Sequence, residues 1–280
     1  MLIKPGMGPF DILIRIGMWV YAVVVILPLI WVFVTSLKTN AEFTQTPWAL
    51  FSDPQFINYI NAWEKANFST YALNSVIVTL AAVALTSLLA CYAAYVLVRM
   101  KFFGANAILT FFIAGLFIPL ILVLPSQFVV LNGMDMIDNR GALILVFVAY
   151  SLPFSILVMS GFMKSIPVEM EEAASIDGCG FNRTFWKIIM PMSKNGILTM
   201  TIFNFLWIWN DFIVTLTLMI TDEKRTLPVG IISLMATFKL RSDWVTLFAA
   251  LNMVMIPTII IYLIFQKSLQ QGLTLGAVKE

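Results

Sequence analysis

The chain has 280 residues, 60% hydrophobic and 11% charged, with a mean hydropathy of +0.93 and a formal net charge of +2. Soluble domains carry about 25% charged residues, so folding in water could not hide this much apolar surface, and the bilayer is the expected solvent. The charge leaves no nucleic-acid footprint, and the absence of His argues against haem ligation, His-based metal sites and a histidine proton relay.

In chain order, six apolar runs are long enough to cross a hydrocarbon core as helices: roughly 13–36, 71–98, 105–130, 141–163, 197–220 and 243–266. The expectation is a single all-α transmembrane domain over 1–280. The first run is too long for a signal-peptide core, and no small-residue cleavage site follows it. Trp19, Trp31, Tyr150, Trp207, Trp244 and Tyr262 lie within or at the edges of runs, where interfacial aromatics collect. Pro119 and Pro125 bend the third run, beside a pathway or simply as prolines common in membrane helices. Cys91 falls in a span and Cys179 in a loop, which makes no disulfide framework.

Six spans put both termini on one side. That side, with 99–104 and 164–196, carries ten Lys and Arg against seven on the other, and Arg99 and Lys101 sit in a very short turn. The positive-inside rule therefore predicts cytoplasmic termini and a cytoplasmic 164–196 loop.

That loop reads as two short helices. Ser165 and Pro167 suit a helix start, and Glu169, Glu171 and Glu172 occupy its first turns, where acids favour the positive dipole end. Met170, Ala173 and Ala174 share one narrow face, and two alanines let another surface approach closely. Asp177 precedes Gly178, which with Gly180 ends the helix. A second helix carries an apolar stripe of Phe181, Phe185, Ile188 and Ile189 and is closed by Pro191. Amphipathicity alone describes equally well an interfacial helix pair joining two spans.

The spacing decides more. Glu172-Ala173-Ala174, three residues, Gly178, nine residues, then Ile188-Ile189-Met190-Pro191 resembles the EAA loop of ABC-importer permeases, with Met190 where Leu is usual and Cys179 where Ala is frequent. Trp209-Asn210-Asp211-Phe212, Thr226-Leu227-Pro228-Val229-Gly230 and the ending Gly272-Leu273-Thr274-Leu275-Gly276-Ala277-Val278-Lys279 resemble segments of the smaller permease of the maltose-type, carbohydrate-uptake group. The resemblance implies a type I ABC-importer permease (MetI-like) fold in a bacterial inner membrane. It also implies a homologous second permease, an ABC ATPase dimer and an extracytoplasmic sugar-binding protein as partners. Glu171, Glu172, Ala173, Ala174, Asp177, Gly178, Ile188 and Pro191 would couple to the ATPase. Gly272, Thr274, Gly276 and Lys279, in the 267–280 tail, would enter the ATPase dimer. The segment 221–242 would meet the binding protein. No G-x-x-x-x-G-K-[ST] sequence occurs, so ATP would be hydrolysed by the partners and no cofactor or catalytic residue is assigned here.

Charge inside a span is costly and usually functional. Asp211 in the fifth run either lines a substrate pathway or holds neighbouring helices together, and the sequence leaves both open. Asn204, Trp209 and Asn210 are further pathway candidates, with Asn74, Gln127 and Asn252 weaker ones. The solute alternatives within this fold are a polyol or glycerol-phosphate compound. A secondary transporter is the distant alternative and would want more intramembrane charges and inverted repeats.

Overall fold

The structure is a computed structural model describing residues 8–65, 67–100, 102–232, 235 and 242–277, with backbone alone for Pro9, Lys65 and 267–277. Among the described residues there is no strand. Helices α1 (Pro9–Ser36), α2 (Asn40–Gln45), α3 (Ile57–Lys65) and α4 (Phe68–Arg99) are followed by α5 (Ala105–Gly115), α6 (Leu120–Gly133) and α7 (Arg140–Ser165). Then come α8 (Glu169–Ile176), α9 (Phe181–Thr184), α10 (Lys194–Trp209), α11 (Ile213–Leu218), a short helix over 227–232 and α12 (Trp244–Ala277). Contacts divide the chain into one unit of Met1–Phe68 with Ile231–Ile256 and another of Ser69–Gly230 with Pro257–Glu280.

The smaller unit is built on the 27-residue span Phe10–Ser36. Beyond it, Thr39 and Glu42 cap α2 reciprocally, Thr39 Oγ1 accepting from the Glu42 amide and Glu42 Oε2 from the Thr39 amide. The Thr39 and Ser52 amides pull the Glu42 carboxyl down to about 2. Trp31 meets Phe43, Trp48 and Phe248 with ring centroids 5.3–6.3 Å apart, so a cluster of aromatics closes the end of α1.

In the larger unit, α4 and α7 are long apolar spans. Asn139 caps α7 by accepting from the Gly141 and Ala142 amides at 2.8 and 3.3 Å. Ile166 goes extended ahead of Pro167 and ends it. Two apolar cores run along these helices. One joins Val78, Leu143, Phe147, Ile208 and Leu218. The other joins Cys91, Tyr95, Met159, Phe185 and Met200.

Two predicted spans are not continuous. In the third, α5 and α6 meet at 100° across Leu116–Pro119. Proline lacks an amide and disfavours helical geometry in the residue before it, so the helix that ends at Gly115 cannot run on through Pro119, from which α6 starts afresh. Pro125 sits inside α6 without breaking it. The fifth run divides at Asn210–Phe212 into a 16-residue and a 6-residue helix, each short of a full crossing. Among the described residues four helices are long and apolar enough to span, or five if the bent pair is counted as one crossing.

At the other end of the larger unit from the 164–196 loop, the 220–230 segment is tied down through side chains of α4 and the turn before α7. Asn74 Nδ2 donates to the Glu223 and Arg225 carbonyls at 2.8 and 2.9 Å, Ser75 Oγ accepts from Leu227 N at 2.8 Å, and Tyr71 Oη donates to Asp222. Asp138 accepts from the Ile220 and Thr221 amides and forms an ion pair with Lys224 at 2.8 Å. Burial alone would raise the Asp138 carboxyl, but the bonds from Lys224 and Thr221 outweigh it and hold it well below the usual carboxylate range. Gly230 packs on the Tyr71 ring so closely that a Cβ there would overlap Cδ2.

Gly230→Ala should therefore destabilise by about 1–3 kcal/mol, the cost of overpacking, read as a lower melting temperature in detergent, with a second change of Tyr71→Ala relieving the clash. For Asp138, a folded-state pKa below the unfolded value means that its stabilisation is complete at neutral pH and lost as pH falls below about 4. Melting curves from pH 7 to 3 should show that loss for the native chain, and a smaller one for Asp138→Asn.

Candidate functional site

The loop between α7 and α10 forms a stiff projection. Acids Glu169, Glu171 and Glu172 fill the first turn of α8, where the helix dipole favours them. Its C-terminus closes as a Schellman motif. The Cys179 amide donates to the Ala174 carbonyl at 2.9 Å and the Gly178 amide to the Ser175 carbonyl at 3.0 Å, around Gly178 at φ +75°. Only glycine adopts that backbone without strain, so Gly178 sets the angle between α8 and α9. The chain then runs through α9 into a π-helical turn, Phe185–Ile189, and one more turn at Met190–Met192. A π turn is an inserted residue's worth of extra coil, and here it lets both Phe185 and Ile189 reach full burial.

Three residues on one face of α4 bolt this projection down. Tyr92 stacks on Phe185 with centroids 4.2 Å apart, and Tyr95 stacks on Phe181 at 5.0 Å. Arg99 Nε pairs with Glu171 Oε1 at 2.7 Å, Tyr95 Oη donates to Glu171 Oε2 at 3.1 Å, and Arg99 Nη2 donates to the Ile166 carbonyl at 2.6 Å. Glu171 is thus engaged inside the protein. The two alanines part as well: Ala174 is buried and Ala173 exposed. The free face of α8 carries Glu172, Ala173 and Ile176, with Ile176 87% exposed, and Asp177 lies exposed at its end. Ile188 is partly buried and Pro191 exposed. Sequence reading missed Tyr92, Tyr95 and Arg99 as partners of the loop. Their spacing of three and four residues marks one helical face, but Arg99 was legible only as a topology signal.

In the fifth run, Trp209-Asn210-Asp211-Phe212 is the break itself. Asp211 Oδ1 accepts from the Thr215 amide and hydroxyl, both at 3.0 Å, and Oδ2 from the Val214 amide at 3.4 Å, so the carboxylate caps α11. Asn204 Nδ2 donates to Ser155 Oγ at 2.8 Å and joins α10 to α7. Trp209 is buried and stacks on Phe205 at 5.5 Å. Asn210 is exposed, with Nδ2 donating to the Leu206 carbonyl at 2.7 Å. Among the weaker candidates, Gln127 accepts from Tyr150 Oη at 2.7 Å, Asn74 holds the 220–230 segment, and Asn252 donates to the Val32 carbonyl. Of the tail residues, Gly272, Thr274 and Gly276 lie on the backbone of α12, and Lys279 lies outside the described residues.

Residues 86–275, which include the projection and the break, match the family described as the inner membrane component of binding-protein-dependent transport systems. The chain belongs to this family. The permease is 35% identical over 259 residues to the diacetylchitobiose uptake system permease protein NgcG of Streptomyces coelicolor, covering 92% of this chain and 86% of that one. It is 35% identical to the sulfoquinovosyl glycerol transport system permease protein SmoH of Agrobacterium fabrum (90% and 88% covered). To the trehalose transport system permease protein SugB of Mycobacterium tuberculosis it is 30% identical (91% and 92% covered). Its fold matches a chain of a bacterial ABC transporter involved in import of the acidic polysaccharide alginate, with a TM-score of 0.84, 22% identity and coverage of 94% and 99%. It is a multi-pass membrane transport component.

The Arg99–Glu171 pair gives a test of how the projection is held. Both side chains are largely buried, 12% and 17% exposed, so Arg99→Met should cost about 2–3 kcal/mol, short of the 3–5 of a fully buried pair. The double variant Arg99→Met, Glu171→Gln should recover part of that loss in melting temperature, because no unpaired charge is left behind.

Proposed function

We propose that the protein is the permease subunit of an ATP-driven importer for di- or oligosaccharides, working with a homologous second permease, an ABC ATPase dimer and an external sugar-binding protein. The observation that carries this reading is the rigid α8–α9 projection in a chain whose relatives are named for diacetylchitobiose, trehalose and galactooligosaccharide transport. The asymmetry of Lys and Arg supports cytoplasmic termini and a cytoplasmic projection. The tail then extends α12 toward the ATPase side.

In this reading, ATP binding closes the ATPase dimer and moves the two projections of the heterodimer together. The spans shift to an outward-open state, and hydrolysis resets them. Closure acts on a two-state bundle through its differential contacts with α8. The docking face is Glu172, Ala173 and Ile176, with Asp177 at its edge. Gly178 holds that face at its angle, and Ile188 and Pro191 seat the second helix. Glu171 and Ala174 serve from inside, fastening α8 to the spans. Among the pathway candidates, Asn210 has the side chain open to a solute, while Asp211, Trp209 and Asn204 maintain the break and its packing. A glycosylated glycerol is the second solute reading, favoured by the relative named for sulfoquinovosyl glycerol.

The test is uptake of a labelled oligosaccharide into proteoliposomes holding the whole assembly. Accumulation should need ATP and the binding protein; accumulation without ATP would sink the reading. Ala173→Arg should abolish ATP-dependent uptake with the melting temperature unchanged. Ala174→Leu should lower the melting temperature instead, because Ala174 alone of the pair is packed against the protein.

A further inference from the structure

The segment after α1 folds back onto the helix it has just left. Lys38 is fully buried, and its ammonium donates to the Thr46 and Pro47 carbonyls at 2.9 and 3.0 Å. Trp31 Nε1 donates to the same Pro47 carbonyl at 3.0 Å, and the Trp31 and Trp48 rings lie 5.4 Å apart. The Thr46–Trp48 turn is thereby held level with Trp31, about 7.5 Å short of the end of α1 at 1.5 Å per residue.

Helix α3 is clamped to the same end. Asn58 Nδ2 donates to the Ser36 and Lys38 carbonyls, both at 2.8 Å, the Gln55 amide donates to the Leu37 carbonyl at 2.8 Å, and Tyr59 Oη lies 2.8 Å from Ser36 Oγ. These bonds decide which way α3 faces. Asn58 and Ala62 are turned in and buried, whereas Phe56, Ile57, Ile60 and Trp63 are turned out and 50–64% exposed. The spacing i, i+1, i+4, i+7 makes these four one stripe. A polar residue inward and an apolar stripe outward reverse the arrangement of a helix facing water.

An exposed apolar stripe marks a membrane or a protein partner, and the position of this one favours lipid. It is hydrogen-bonded to the Ser36 carbonyl that ends a membrane span and to the Leu37 and Lys38 carbonyls just beyond it, which places the stripe where α1 leaves the hydrocarbon. Trp63 and the 77% exposed Trp48 are the residue type that collects at bilayer interfaces. Glu64, exposed on the same face one turn beyond Ile60, ends the stripe with a charge, which suits a helix at headgroup depth rather than in the hydrocarbon.

We propose that α3 and the Thr46–Trp48 turn lie in the interfacial layer of the bilayer at the Ser36 end of α1, with lipid acyl chains covering Phe56, Ile57, Ile60 and Trp63. The segment between the first two apolar runs is then an anchor that fixes the depth of α1.

The test places a nitroxide on Ile60→Cys, and separately on Ile57→Cys, in the full assembly in lipid nanodiscs. Cys179→Ser removes the accessible thiol, and Cys91 is buried in the core. Collision with oxygen, which partitions into lipid, should exceed collision with a water-soluble nickel chelate several-fold at both positions, and the order should invert for a label at Asp53. Nickel dominating at positions 57 and 60 would put the stripe in water, and low collision with both reagents would put a protein against it. Either result overturns the proposal. Unchanged melting of the labelled variants shows that the readings come from the folded chain.

Discussion

Hydrocarbon offers the backbone no hydrogen bonds, so every departure from a continuous helix in this chain has to be satisfied from within. The break at Asn210–Phe212 has the Asp211 carboxylate bonded to the amides that begin α11. The 100° bend between α5 and α6 falls at Pro119, which has no amide to satisfy. Asn58 donates to the Ser36 carbonyl that ends α1 and to the Lys38 carbonyl just beyond it. Much of the polar chemistry inside the spans is therefore structural, and an acid in a span is weak evidence for a solute site until its partners are known.

The same economy governs the 164–196 projection. A lever must not bend, and α8 is secured at both ends: by the Schellman closure around Gly178 and by Glu171 gripping Arg99 and Tyr95. The aromatic stacks of Tyr92 and Tyr95 seat α9 on the same face of α4. On the proposed reading, a push on α8 would pass directly into α4, a helix of 32 residues, rather than dissipate in a loop. The acids of α8 divide the work. Glu171 faces inward as a fastening, and Glu172 faces outward, available to another surface.

Relatives named for quite different glycosides share over nine-tenths of this chain's length at about a third identity. Such breadth fits a subunit whose shared parts are the spans and the projection. On the proposed reading, solute choice would rest on few side chains here, Asn210 among them, and on the binding protein.

Composition and period determined the membrane class, the approximate positions of the apolar runs and the place of the projection, because apolar length and glycine punctuation are local properties that survive in the sequence. The motif spacing around Gly178 likewise carried the family. Tertiary structure alone decided the rest. Ala173 and Ala174 are adjacent and chemically identical, yet burial separates them, since a helix turns about 100° per residue and only the packing says which side faces α4. Asp211 could be read as lining a pathway or as joining neighbouring helices; the structure shows its carboxylate bonded instead to the amides of Val214 and Thr215 in its own run. The inverted face of α3 was illegible for the same reason: its orientation is set by bonds from Asn58 to carbonyls about twenty residues away, and no local pattern encodes a partner at that distance.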